Sequence, residues 1–250
     1  MLKNNHEFSE RIFLFTICFL GLHSIFAQGQ VADSNTEQPS VKHAIDLYYN
    51  FIGENNHLNN GSEYVTPFYR ESMHPYYKTL LFSPGNVVYD EISYTDIPMM
   101  YDIINDQLVI NRYKMSYRIV LVNDKLKSFS LLGHNFVRIV QDSNSKSGIS
   151  TGYFDQLYNG TLKVFVKRQK KREEILRESE LIARIVENDI VYIQKGKIYF
   201  AVKNKKSLFS VFRDHKTDLR RYLRKNNISF RENPENAIVK SAEFIDQFKN

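Results

Sequence analysis

The sequence predicts an α+β protein: a mainly antiparallel β body of meander or sandwich type, with a short N-terminal helix and two C-terminal helices. Short β-type runs separated by turn residues recur at about 8 to 12 residue spacing from position 87 to 166. Helical periodicity is confined to the two ends of the chain. The 42% hydrophobic and 25% charged residues are typical of a globular protein, and exclude disordered, collagenous and disulfide-stapled classes.

Residues 1–27 have the pattern of a secretory signal peptide. Lys3 and Arg11 precede an apolar run over residues 12–26, which Ala27 closes before polar residues. The run is shorter than the ~20 apolar residues of a membrane span, so we expect cleavage, with an uncleaved anchor as the alternative. Cleavage removes the only cysteine, and with it any disulfide, thiolate nucleophile or cysteine-ligated metal.

We expect the mature chain to begin with a flexible linker at residues 28–40, which are polar and poor in apolar side chains. A β-rich body is predicted at residues 41–202, and a helical segment packed on it at residues 203–250. The body opens with a short helix that Gly53 ends. Its apolar positions at helical spacing are Ala44, Leu47, Tyr48 and Phe51.

The strands of the body follow as short apolar runs. They are predicted at 87–89, 92–94, 99–104, 107–110, 117–122, 127–132, 136–140, 153–158, 161–167, 190–193 and 197–202. Asn159-Gly160 predicts a type I′ turn that pairs Tyr158 with Thr161, because both turn residues adopt positive φ readily. Turns are also predicted at Asn105-Asp106, Asn123-Asp124 and Lys195-Gly196.

After residue 202 the apolar spacing becomes helical. One helix is predicted from a face formed by Leu208, Phe212, Leu219 and Leu223. A last helix is predicted to begin at Asn233 as N-cap and Pro234 as first helical residue. Its apolar face consists of Ile238, Ala242, Ile245 and Phe248.

Several motifs of the body stand out as a set. They are Asn60-Gly61-Ser62-Glu63-Tyr64, His74-Pro75-Tyr76-Tyr77, Val87-Val88-Tyr89-Asp90 continuing to Pro98-Met99-Met100-Tyr101-Asp102, and Gly152-Tyr153-Phe154 continuing to Leu157-Tyr158-Asn159-Gly160. With the Phe26-Ala27-Gln28 ending of the signal peptide, the set resembles uncharacterised exported proteins of Bacteroidetes over residues 43–248. The resemblance implies an envelope location and supplies no activity. Asp90-Glu91 lacks the glycine expected in the first hairpin, which argues against a tight type I′ turn there.

One motif suggests an enzyme. Gly148-Ile149-Ser150-Thr151-Gly152 matches G-x-S-x-G, and Asp189 and His215 follow in the order used by α/β-hydrolases. That motif requires a strand leading directly into it and a helix leaving it, whereas polar residues 141–147 precede it and a predicted hairpin follows. A Gly/Ser loop is therefore favoured over a nucleophile, and no enzymatic activity or cofactor is predicted. Ser143-Asn144-Ser145-Lys146 matches S-x-x-K but lacks the partner motifs of that class.

The histidines and the aromatic segment at residues 64–77 give a second candidate site. The mature histidines form no i, i+4 pair and no H-E-x-x-H motif, so no metal site is predicted. Exposed tyrosines can stack on sugars or anchor peptides, although a packed core explains them equally well. The candidate ligand-stacking residues are Tyr64, His74, Tyr76 and Tyr77.

The third candidate is electrostatic. Residues 160–231 carry 20 Lys and Arg against 8 Asp and Glu, so the positive charge of the chain is local. The spacings of 3, 4 and 4 place four basic residues on one helix face: Arg213, Lys216, Arg220 and Arg224. Because export removes nucleic acid as a partner, the candidate partners are lipid or lipopolysaccharide head groups and acidic envelope proteins. A solvated basic face is the alternative.

Together these observations predict an exported protein of the periplasm or outer-membrane surface, with a non-enzymatic binding or assembly role and no membrane span after processing. A serine hydrolase using Ser150 and a carbohydrate- or peptide-binding module using residues 64–77 remain the alternatives.

Overall fold

The computed structural model describes residues 41, 43, 58, 60–66, 74–111, 118–141, 148–177 and 180–248, without the side chains of 175, 177 and 180–183. The chain divides into two units, Met1–Phe51 and Ile52–Asn250. The predicted signal peptide and linker lie outside the described residues, as does the short helix apart from helical residues Val41 and His43. The second unit carries everything described below.

The body is antiparallel β structure, as predicted. Eleven strands form one sheet in the order β1-β5-β4-β3-β2-β6-β7-β8-β9-β12-β13, and β10 and β11 pair as a separate ribbon. The strands are β1 Ser62–Glu63, β2 Ser83–Tyr89, β3 Ile92–Asp102, β4 Gln107–Asn111, β5 Arg118–Val120, β6 Leu126–Leu131, β7 His134–Ile139, β8 Gly152–Asn159, β9 Leu162–Lys167, β10 Lys170–Arg177, β11 Glu180–Glu187, β12 Ile190–Lys195 and β13 Ile198–Val202. Most neighbours in the sheet are consecutive in the chain, as in a meander.

The ribbon of β10 and β11 was not predicted as strands. Its register pairs Lys170 with Glu187 and Glu173 with Arg184, so opposite charges face one another across the two strands. The high density of charged residues in this segment obscures the alternation of apolar and polar residues that identifies a strand.

The C-terminal segment forms three helices: α1 Lys205–Val211, α2 Lys216–Lys225 and α3 Pro234–Gln247. The single helix predicted across residues 208–223 is wrong, because a 3₁₀ turn at Arg213–His215 separates α1 from α2. Phe212 leaves the helical conformation at φ −110° and ψ 43°, and both Phe212 and Leu219 then reach the core. The start of α3 is as predicted, with the Asn233 side chain accepting a hydrogen bond from the backbone N–H of Asn236.

The described residues of the second unit form four buried hydrophobic clusters, and two of them are much larger than the others. The core inside β2–β8 contains a group of packed aromatic rings: Phe129 and Phe136 stack with ring centres 4.8 Å apart, and Tyr101 packs edge-on against both. Tyr153 packs edge-on against Phe129. The three helices cover β9, β12 and β13 through a second, aliphatic core. Its buried members are Leu162, Val164, Val166, Val191, Ile193, Val202, Leu208, Phe209, Phe212, Leu219, Leu223, Ile238, Ala242 and Ile245. The C-terminal helices are therefore packed on the sheet.

Two turns differ from their predictions. Neither Asn159 nor Gly160 has a positive φ, and Tyr158 pairs with Val164 across a register shift, so the type I′ turn is wrong. Conversely, Asp90 and Glu91 have φ of 53° and 64° and link directly paired Tyr89 and Ile92. This is the two-residue turn that the missing glycine argued against. Its side chains bind the neighbouring strand, since Lys125 and Lys127 bond to Asp90 and Glu91 at 3.0 and 3.1 Å.

A candidate anion-binding groove

A groove of about 880 Å³ lies along helices α1 and α2. Of the described residues, six basic side chains and no acidic one line it. The lining residues are Lys205, Lys206, Phe209, Ser210, Arg213, Lys216, Arg220, Leu223, Arg224 and Ile228. All four residues of the predicted basic stripe are therefore present in one concave surface.

The four stripe residues are exposed, and two lysines of α1 join them. The predicted stripe does not include Lys205 and Lys206, because the apolar spacing places the first residue of the helix face at Leu208. The N-terminal cap of α1 is the sequence signal that would include both lysines. Asn204 accepts a hydrogen bond from the backbone N–H of Ser207, and the Ser207 hydroxyl oxygen accepts one from the backbone N–H of Asn204. A capping box at this position starts α1 at Lys205.

The floor of the groove is apolar. Phe209 and Leu223 are 7% and 5% exposed, and Ile228 is half-buried beside them. The Arg220 guanidinium lies 5.5 Å from the centre of the Phe209 ring and the Lys205 ammonium 6.0 Å from it, so both cations are within cation–π range of the floor. A ligand in this groove would meet positive charge at the rim and hydrocarbon below.

The positive charge of the groove comes from its six basic side chains. Among the described residues, none of the six basic side chains forms an ion pair. Asp218, the acid of α2, pairs with Arg221 at 3.6 Å, and Arg221 does not line the groove. Uncompensated like charges on one concave surface create a positive field that attracts anions and weakens with salt.

The residues of the hydrolase hypothesis occupy three different settings. Ser150 lies in the segment that precedes β8, Asp189 accepts a hydrogen bond from Arg168 at 2.8 Å, and His215 packs against the Phe248 ring at 5.7 Å. In the described part of the chain no hydrogen bond or ion pair joins any two of the three. The glycine at the last position of the motif, Gly152, is required by its packing and not by catalysis, as the next contacts show.

Gly152 leaves room for a buried ion pair that a larger residue would displace. Gly152 has φ 157°, and a Cβ at this position would overlap the Asp106 carboxylate and the Lys167 ammonium. These two groups form an ion pair of 2.6 Å that lies mostly inside the protein, and the Tyr101 hydroxyl donates to the same carboxylate. Burial lowers the pKa of Lys167, with Asp106 acting in the opposite direction. Gly152 therefore allows the pair to form against the backbone of β8.

The aromatic candidates are interior residues. Tyr64, Tyr76 and Tyr77 are 7%, 3% and 5% exposed, so they do not form the exposed stacking surface that the hypothesis requires. Tyr64 instead donates to buried Asp102 at 2.8 Å. His74 is half-buried and stacks on Tyr76 with ring centres 6.0 Å apart, and burial is the main cause of its lowered pKa. The three tyrosines of this segment that the structure describes are therefore packed in the interior.

Fold and site together define an antiparallel β protein with a basic groove on its C-terminal helices. No protein-family model matches the sequence, and no curated protein and no solved structure shows significant similarity to it. Within the described ranges, no helix is long and apolar enough to cross a membrane. The same residues contain no group of three or more His, Cys, Asp or Glu side chains placed to hold a metal ion.

Proposed function

We propose that the protein is an exported, non-enzymatic binding component of the cell envelope whose groove attaches it to the phosphate head groups of envelope lipids. The observation that carries the proposal is the set of six basic side chains around one apolar floor, none of which is ion-paired within the part of the chain that the structure describes. Phosphate groups are the anions that Arg and Lys bind most effectively, by bidentate and point-charge contacts respectively.

The magnitude of the attraction is sufficient for reversible attachment. Each Lys or Arg near an anionic membrane surface contributes about 1 kcal/mol. Six such residues supply up to about 6 kcal/mol, which corresponds to dissociation constants between about 1 mM and 1 μM. The apolar floor adds to this where lipid hydrocarbon reaches Phe209 and Leu223.

The proposed partner depends on export, because only an exported protein meets the lipid head groups of the outer envelope. The apolar run before Ala27 and the polar residues after it support cleavage near that residue. N-terminal sequencing of protein purified from native cells is expected to start close to Gln28. A protein that still begins at Met1 would remove lipid head groups of the outer envelope from consideration.

The test of function is co-sedimentation of the purified mature protein with lipid vesicles. We expect binding to vesicles that contain phosphatidylglycerol and none to vesicles of phosphatidylcholine alone. Raising the salt from 0.1 M to 1 M shortens the Debye length from about 10 Å to about 3 Å and should release the protein. Equal binding to both vesicles, or binding that salt leaves unchanged, would contradict the proposal. Failure to bind either vesicle, with capture of an acidic envelope protein instead, would assign the groove to a protein partner.

A further inference from the structure

A chain of polar side chains leads from the surface into the interior at the β6–β7 turn, far from the groove in sequence. The Lys78 ammonium lies 2.8 Å from Nε2 of His134, and Nδ1 of the same ring lies 2.8 Å from the Asp155 carboxylate. Asp155 then accepts from Nε and Nη2 of Arg168 at 3.0 and 2.7 Å. Lys78 is exposed, whereas Asp155 is 1% exposed.

The two neighbours of His134 determine which of its nitrogens carries the proton. A lysine ammonium can only donate, so Nε2 must be its acceptor. An ionised carboxylate can only accept, so Nδ1 must carry the hydrogen that it receives. With these partners, Nε2 is the ring nitrogen whose lone pair is directed at the Lys78 amine.

Asp155 and the ring are held in this arrangement from several sides. Besides its bonds to Asp155, Arg168 bonds to Asp189 at 2.8 Å and to Glu235 at 2.5 Å and 3.0 Å. Three carboxylates thus fix one buried guanidinium, and two of its hydrogen bonds hold the Asp155 carboxylate in place. The Tyr77 ring packs edge-on against His134 with centres 5.5 Å apart, which limits rotation of the imidazole.

This arrangement is that of an activated nucleophile: an amine, a base within hydrogen-bond distance and a third group that orients the base. We propose that Lys78 is a reactive amine and a site of acylation by activated acyl donors such as thioesters or acyl phosphates. In the step, the ammonium gives a proton to Nε2 of His134 and the resulting imidazolium is stabilised by Asp155. The amine nitrogen attacks the acyl carbonyl, a C–N bond forms and the bond to the leaving group breaks. The second proton of the nitrogen goes to the departing thiolate or phosphate, and the imidazolium returns its proton to water.

Other lysines provide the comparison within the same molecule. Lys125 and Lys127 donate to carboxylates at 3.0 and 3.1 Å, and the bond to Asp90 raises the pKa of Lys125. A carboxylate holds the ammonium in its charged form, whereas a neutral imidazole can accept its proton. In the described ranges, Lys78 is the one lysine that donates to a histidine ring.

The experiment is limited acetylation with an active ester of acetate, followed by peptide mass spectrometry at each lysine. A positioned general base contributes about 10²–10⁴-fold, so Lys78 is expected to react at least about tenfold faster than Lys127. His134→Gln keeps hydrogen-bonding groups beside Lys78 but cannot take the proton, and it should reduce the ratio to near one. Should that variant fail to fold, the wild-type ratio is compared in native and urea-denatured protein, where the advantage should disappear. Equal rates at Lys78 and Lys127 in the native protein, or an unchanged ratio in folded His134→Gln, would overturn the proposal.

Discussion

The Asp246 carboxylate near the end of α3 accepts a hydrogen bond from the backbone N–H of Leu162, 3.1 Å away at the start of β9. The hydroxyl of Tyr158 donates to the same carboxylate at 2.9 Å. One buried side chain therefore fastens the last helix to both strands of the β8–β9 hairpin. The same contact accounts for the glycine in the β8–β9 turn, because Gly160 lies directly against the Asp246 carboxylate and the Tyr158 hydroxyl.

We predict that Gly160→Ala destabilises the protein by about 1 to 3 kcal/mol, since its Cβ would overlap the Asp246 carboxylate and the Tyr158 hydroxyl. Chemical denaturation of the single and double variants checks this. In the Asp246→Ala background the added methyl group has more space, so its cost should fall by at least about 0.5 kcal/mol. The same cost in both backgrounds would show that the glycine is required for another reason.

Burial of tyrosine hydroxyls predicts a loss of stability in alkali. Desolvation raises the pKa of Tyr77, Tyr101 and Tyr153 well above the ordinary value of about 10. Above that pH the unfolded chain loses these protons and the folded protein keeps them, so the free energy of unfolding falls as pH rises. Each group contributes about 1.4 kcal/mol per pH unit.

Burial lowers the pKa of two lysines, Lys167 and Lys170, and this acts in the opposite direction, but only up to the ordinary lysine value. Denaturation midpoints between pH 8 and pH 11, with tyrosinate absorbance recorded in parallel, test the alkaline prediction. In Tyr153→Phe, the free energy of unfolding should fall less steeply with pH, by the contribution of one tyrosine, about 1.4 kcal/mol per pH unit. Tyrosinate absorbance at pH 10 in the folded protein that Tyr153→Phe removes would show that Tyr153 ionises at its ordinary pH, and would contradict the prediction.

The Asp90-Glu91 turn predicts a stabilising substitution. Glu91 has φ 64°, which costs a residue with a side chain about 1 to 2 kcal/mol and costs glycine nothing. Its ion pair with Lys127 is exposed and contributes little. Glu91→Gly should therefore raise the free energy of unfolding by about 0.5 to 1 kcal/mol after the entropy cost of glycine. Glu91→Ala, which keeps the Cβ, is the control and should give no such gain.

Sequence patterns predicted what depends on local periodicity. The antiparallel body, the start of α3 at Asn233 and the hairpin at Lys195-Gly196 all follow from residues close together in the chain. The β8–β9 turn could not be predicted from neighbouring residues, because its conformation depends on Asp246, which lies more than 80 residues further along the chain. The break between α1 and α2 could not be predicted, because the helical spacing of apolar residues continues across it. The backbone at Phe212, however, is not helical.

The candidate sites divide in the same way. The basic stripe could be predicted, since its residues share one helix face, although the groove also needs Lys205, Lys206 and Ile228. The aromatic segment could not be assigned to surface or core from its composition, and burial of Tyr76 and Tyr77 is a property of the folded sheet. The contact between Lys78, His134 and Asp155 joins three distant parts of the chain and leaves no local pattern.

The most direct test of the groove compares two variants of equal charge on the same vesicles. The first replaces the four stripe residues, Arg213, Lys216, Arg220 and Arg224, with Gln, and the second replaces four exposed basic residues outside the groove, Lys171, Arg172, Lys195 and Lys197. Exposed substitutions of this kind change stability by about 0.5 kcal/mol or less each, so both variants should fold. We expect the stripe variant to lose at least about tenfold in affinity for phosphatidylglycerol vesicles, since four contributions of about 1 kcal/mol are removed, and the second variant to bind nearly as the wild type does. Equal affinity of the two variants would contradict a function located in the groove.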